Sequence, residues 1–257
     1  MLGTLKSILP RPKRRKSRRG RLGNTIGGYA KRILKAGLLV VLALFTLLLT
    51  SIVALRFIDP PTWAWKIHRE LDPPAGYPAV ARHHWRDISQ IPMAVQLAVV
   101  ASEDQNFPHH HGVDFGAIQK AIDEAENGKS LRGASTITQQ TVKNLFLWPQ
   151  KAWSRKVLEG GLALLVDLLW GKQRILEVYL NIAEFGPGVY GVDAASAYWY
   201  RRPLHRLTNN QAARLAAVLP NPWRYRAEPP TDYIAERAAW IEQQMNMLGY
   251  VWLESVN

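Results

Sequence analysis

The longest feature in the hydropathy pattern is a run of twenty positions without a charge, AGLLVVLALFTLLLTSIVAL, residues 36–55. At 1.5 Å of rise per residue, such a run makes a helix long enough for a hydrocarbon core of about 30 Å. A buried core helix seldom runs so far without charge, and a cleaved signal peptide has a shorter apolar region of about 7–15 residues. The expectation is one membrane-spanning helix. Residues 56–90 hold the helix breakers DPPTW and LDPPAGYP and read as a connector. Beyond them, apolar positions recur at helical spacing in IPMAVQLAVVASED and in DFGAIQKAIDEAENG, which has Asp114 as N-cap and stops near Gly128. SRKVLEGGLALLVDLLWGKQRILEVYLNIAE predicts one long helix or two abutting ones, weakened at Gly160–Gly161 and Gly171. TNNQAARLAAVLP and DYIAERAAWIEQQMNMLGY complete the series. No alternating run predicts a substantial sheet, so the fold class expected is mainly α.

Charge sharpens this division. Of 33 Lys and Arg, twelve lie in residues 1–35, where there is no acid; the remaining 21 stand against 20 acidic residues. The net charge of +13 therefore belongs to an N-terminal arm, and a nucleic-acid partner is not expected, because a binding domain would carry its surplus in the folded part. The positive-inside rule places the arm in the cytoplasm and the rest across the membrane. Phe57, Trp63 and Trp65 then fall where an interfacial aromatic belt would sit. The expected organisation is a basic cytoplasmic arm (1–35), a transmembrane helix (36–55), a membrane-proximal connector (56–90) and an extracytoplasmic domain (91–257). The chain has no cysteine, which removes disulfides, thiolate nucleophiles and cysteine-ligated metals.

Three stretches could carry chemistry. In SEDQNFPHHHGVD, Glu103 and Asp104 close an apolar helix, and a carboxylate at an apolar rim gains basicity by desolvation; solvating a helix end is the equally ordinary role. Three consecutive histidines cannot all reach one ion without a special turn. In GASTITQQTVKN, Ser135 is the expected N-cap, Thr136, Gln140 and Asn144 share one face, and Gln139 and Lys143 lie beside it. Such a surface of hydroxyl, amide and ammonium groups suits a sugar or phosphate. In SRKVLEGG, Arg155 and Glu159 stand four apart with Lys156 between them, a spacing that an ordinary surface ion pair also uses. No P-loop, GxGxxG or penicillin-binding acyl-transfer motif is present.

Taken in order, EDQNFPHHHG, GASTITQQTVKN, RKVLE and KQRILEVYLN resemble the successive motifs of the bacterial peptidoglycan glycosyltransferases, over about Ile91 to Tyr225. The short chain, with an anchor and no transpeptidase signature, is similar to the monofunctional members. The resemblance implies a lysozyme-like two-lobed domain that joins lipid II units into β-1,4 glycan with inversion and release of undecaprenyl pyrophosphate. It implies Glu103 as catalytic base and Glu159 as a second required glutamate. It also implies a substrate-binding set of Asp104, Phe107, His110, Ser135, Thr136, Gln139, Gln140, Lys143, Asn144, Arg155 and Lys156. No cofactor is expected to be required; Mg²⁺ or Mn²⁺, held through Glu159, could assist. Implied partners are lipid II, the growing glycan strand, the bilayer and other cell-wall synthesis or division proteins, with residence in a bacterial inner membrane and the domain in the periplasm.

Leu145–Trp153 is expected to dip toward the headgroups, packing against the main lobe being the alternative. Gly160 and Gly161 depart from a helix's preference and could loosen Glu159, while Gln211, where Glu is common in the family, is expected to be structural. A glycan-cleaving enzyme of lysozyme type and a catalytically silent scaffold are the competing readings. A cutting enzyme has no pyrophosphate to stabilise, so Lys143 with Arg155 favours synthesis.

Overall fold

The computed structural model describes residues 18–128, 133–150, 152–250 and 256; the basic arm up to residue 17 and Lys151 lie outside the described residues. The chain divides into two units, residues 1–51 and 52–257. The first is taken up by α1 (Arg18–Leu55), whose stretch Lys31–Leu55 is apolar enough to cross a membrane and is almost wholly exposed. Exposed leucine and valine along 25 residues are stable only in an apolar solvent, which is what a bilayer supplies.

The second unit is mainly α, as the spacing of apolar residues requires. Its helices are α2 (Ala64–Leu71), α3 (Met93–Glu103), α4 (Phe115–Glu126), α5 (Ile137–Phe146), α6 (Trp153–Trp170), α7 (Lys172–Ile182), α8 (Val192–Tyr200), α9 (Asn209–Val218) and α10 (Asp232–Leu248). Asp114 caps α4, accepting from the Ala117 N–H at 2.8 Å. The long apolar stretch is two helices: Gly171, at φ 78°, adopts a left-handed backbone and separates α6 from α7, whereas Gly160 and Gly161 lie within an unbroken α6. Three short strands, β1 (Arg82–His83), β2 (Glu184–Gly186) and β3 (Val189–Tyr190), form a small sheet in the order β1-β3-β2.

The helices pack in two groups. α3, α9 and α10 make one; α5, α6 and α7 make the other, with α2 against α5. Val95, Ala98, Val99, Val100, Leu215 and Ile241 are fully buried in the first, and Ile137, Val142, Val166 and Leu176 in the second. Residues 52–58, which belong to the second unit, are held by its helices: Trp170 Nε1 donates to the Ile52 carbonyl at 2.7 Å, and Arg174 donates to the Leu55 and Ile58 carbonyls at 3.0 and 2.9 Å.

Residues 56–90 differ from the expected connector. They contain α2 and β1 and belong to the same unit as the helices that follow, because their aromatic residues pack inward. Trp63 is 2% exposed and meets His83 and Tyr190 edge-on, and Trp65 faces Glu184, so of the expected aromatic belt only Phe57 is exposed. Gly112, in the segment between α3 and α4, lies hard against α6. Its φ is 76°, and a Cβ there would lie 2.4 Å from the Ala163 carbonyl oxygen.

Candidate functional site

Glu103 is the last residue of α3, carried to the helix end by an apolar stretch whose burial is nearly complete. Gln140 Nε2 donates to Glu103 Oε2 at 2.8 Å, and Ser102 Oγ donates to Oε1 at 3.3 Å. Gln140 is itself held by the Tyr179 hydroxyl, which donates to its Oε1 at 3.0 Å. Desolvation raises the Glu103 carboxyl above the ordinary glutamate value, although those hydrogen bonds and the charges of Arg237 and Lys143 oppose it. Desolvation likewise lowers Lys143, opposed by the carboxylates of Glu159 and Glu103. The ammonium thus sits within the field of both glutamates.

Glu159 is 2% exposed and both its oxygens are taken. Arg155 Nη1 donates to Oε2 at 2.7 Å and Lys156 Nζ to Oε1 at 2.5 Å. A surface ion pair would not be so buried. Lys156 Nζ also donates to Ser135 Oγ at 2.9 Å, tying α6 to the approach of α5. Among the described residues, no group of three His, Cys, Asp or Glu is arranged to hold a metal ion. A divalent ion at Glu159 would have to displace Arg155 or Lys156, so the residues as arranged do not fit one.

Several residues expected to bind substrate make hydrogen bonds within the scaffold. Thr136, not Ser135, is the N-cap of α5: its Oγ1 accepts from the Gln139 N–H at 3.1 Å, and Gln139 Oε1 accepts from the Thr136 N–H at 3.0 Å. This reciprocal capping box satisfies two otherwise orphaned donors, and both side chains are buried. Thr136 Oγ1 donates onward to the Gly112 carbonyl at 2.6 Å. Asp104, also buried, accepts from His110 Nε2 at 2.9 Å and from the Ile137 N–H at 2.9 Å, clamping the histidine loop to the start of α5. Phe107 is fully buried and meets the His110 ring edge-on. His109 and His111 are exposed, so the three histidines do not converge. Through these contacts Asp104, His110 and Thr136 tie the loop after α3 to the start of α5. Gln211 plays a capping part like that of Gln139, on Thr208 at the start of α9.

Gln140, Lys143 and Asn144 do line an open cavity of about 260 Å³. Its other walls are Tyr179, Glu184 and Trp223, and Trp65 and Arg69 of α2. The motif reading missed Glu184, Trp65 and Arg69, because α2 lies about seventy residues before α5 and nothing local signals that they meet. Paired Trp residues and an arginine beside a proline-rich break were the one trace available.

A mainly helical domain with a desolvated carboxylate held by Gln140, itself a wall of a polar cavity, and with cations packed around a second buried glutamate, has the groups that carbohydrate-active enzymes use. Comparison with known proteins narrows the class. The family model described as Transglycosylase matches residues 75–246, and the chain belongs to that family. A Shewanella oneidensis protein named biosynthetic peptidoglycan transglycosylase is 52% identical over 218 residues, covering 85% of this chain and 93% of its own length. Proteins of the same name from Aeromonas hydrophila and Shewanella amazonensis are 47% and 52% identical, covering 89% and 86% of this chain and 97% and 89% of their own lengths.

Proposed function

We propose that this transglycosylase is a membrane-anchored peptidoglycan glycosyltransferase that polymerises lipid II, with Glu103 as general base. The observation that carries the reading is the placement of Glu103, on α3, against Gln140 of α5, with Lys143 in the field of both Glu103 and Glu159. In this mechanism Glu103 takes the proton from the 4-hydroxyl of the acceptor sugar as that oxygen attacks the anomeric carbon of the donor. The new C–O bond forms as the bond to pyrophosphate breaks, on the opposite face, so the α-linked donor becomes a β-1,4 linkage. Gln140 fixes the carboxylate's direction, and the raised pKa makes it a stronger base than an exposed glutamate.

The departing diphosphate carries the developing charge, and cations rather than a strong acid stabilise it. Lys143 and Arg155 supply them. Glu159 holds Arg155 and Lys156 through both oxygens, which fixes long, flexible side chains before substrate arrives. The N-terminal helix keeps the enzyme in the bilayer where a lipid-linked substrate resides; the positive-inside rule makes the domain periplasmic in a bacterial inner membrane. Other cell-wall synthesis or division proteins would meet the chain there.

Purified full-length protein given lipid II should form glycan polymer, and Glu103→Gln should cut the rate by roughly 100- to 10,000-fold, the usual worth of a general base. Gln preserves size and polarity, so the variant should fold. A Glu103→Gln protein that polymerises at the wild-type rate would overturn the assignment.

A further inference from the structure

The family match begins at residue 75, so α2, at Ala64–Leu71, lies wholly before it, yet α2 supplies a wall of the cavity that Gln140 and Lys143 line. Its contacts are specific. The Lys143 ammonium lies 5.4 Å from the centroid of the Trp65 ring, and the Arg69 guanidinium lies 5.3 Å from the same ring and 4.9 Å from that of Trp223. Tyr77 stacks on Trp223 at 6.3 Å. Glu184 accepts from Trp65 Nε1 at 3.3 Å, from Trp223 Nε1 at 3.0 Å and from the Gly188 N–H at 3.2 Å.

Arg69 is the unsatisfied member of this cluster. Its Nε is buried without a hydrogen-bond partner, and its approach to Glu184, at 3.7 Å, is an ion pair too long to be a hydrogen bond. Three other donors already hold the carboxylate. Aromatic rings flank the guanidinium, and Arg69 lines a cavity that Lys143 also lines. Two cations against one carboxylate leave the pocket positive, and a guanidinium between aromatic rings is preorganised for an oxyanion.

We propose that α2 is an integral part of the substrate pocket and that Arg69 binds an oxyanion of the substrate there, a phosphate or a carboxylate. The proposal rests on the glycosyltransferase reading for the identity of that substrate, but not for the existence of the site.

The test uses full-length protein with Arg69→Gln, Arg69→Lys and Glu184→Gln. Steady-state polymerisation of lipid II is measured with each, alongside calorimetric binding of inorganic pyrophosphate and of a soluble muramyl dipeptide. Loss of a charge-assisted hydrogen bond predicts that Arg69→Gln raises KM by about tenfold or more while kcat stays within about threefold. Arg69→Lys should recover part of that loss. The probe whose affinity falls in Arg69→Gln assigns the oxyanion: pyrophosphate for a phosphate, the dipeptide for a carboxylate.

If instead Arg69→Gln and Glu184→Gln lower melting temperature and kcat together, without rescue by lysine, Arg69 only braces Glu184 and the proposal fails. It fails equally if KM and both affinities are unchanged. Wild-type protein that binds a probe through Arg69 but forms no polymer would remove the activity reading and leave this site standing.

Discussion

Glu103 and Lys143 are displaced toward each other on the pH scale, the acid upward and the base downward, and burial is the first cause of both shifts. With Glu103 needed ionised and Lys143 needed charged, kcat/KM for polymerisation should follow a bell. Its acid limb should lie above the ordinary glutamate value of 4.5 and its alkaline limb below the ordinary lysine value of 10.5. Limbs at the ordinary values would show that neither group is desolvated in the working enzyme. The same shift has a consequence for stability. Between the unfolded and folded pKa values the native chain holds a proton on Glu103 that the unfolded chain has lost, so stability falls as pH rises through that window. Glu103→Gln, which cannot ionise, should therefore melt no lower than wild type at neutral pH, with any advantage disappearing in acid. The motif showed Glu103 as a candidate base and Lys143 as a cation, but the order of their titration depends on what surrounds them.

At the scale of elements, glycines that look alike in sequence have opposite roles. Gly160 and Gly161, where a helix would prefer alanine, have open space around a would-be Cβ and lie within continuous helix. Gly161→Ala should raise stability by about 0.5–1 kcal/mol, the difference in helix propensity, without moving Glu159. Gly112→Ala should be severely destabilising in the same thermal melts, because the added methyl meets the Ala163 carbonyl and the backbone is left-handed. α3, α4, α6, α7, α9 and α10 were readable as helices because periodicity and caps are local, whereas α8, β2 and β3 were not read. Which polar residues of α5 cap the helix and which face the cavity was not. Ser135 and Thr136 are equally good caps by type, and the choice fell to Thr136 because its hydroxyl also reaches the Gly112 carbonyl of another loop.

Over the whole molecule, exposed apolar residues occur on several elements, Leu71, Phe115 and Met247 among them, and α6 carries five: Trp153 is 88% exposed and Leu168 80% exposed, with Val157, Leu158 and Leu164 also exposed. Within the expected membrane-dipping stretch Leu145 and Leu147 are buried, while Trp148 and Trp153 are exposed, so an insertion there would use the tryptophans alone. Adding vesicles of brominated lipid to full-length protein should quench Trp153 fluorescence, read as the difference from Trp153→Phe. Equal quenching in both proteins would mean that this surface stays in water.

The sequence by itself determined the anchor, the helical class and the three polar motifs, because an uncharged run, a 3.6-residue period and a cluster of hydrogen-bonding side chains are all local signals. Only the tertiary structure decided that Asp104, Phe107 and His110 are internal braces, that Glu159 holds two cations, and that α2 forms part of the cavity wall. Those outcomes depend on which side chains meet across distant segments, and burial, the quantity that sets both their partners and their charge, exists only once the chain has folded.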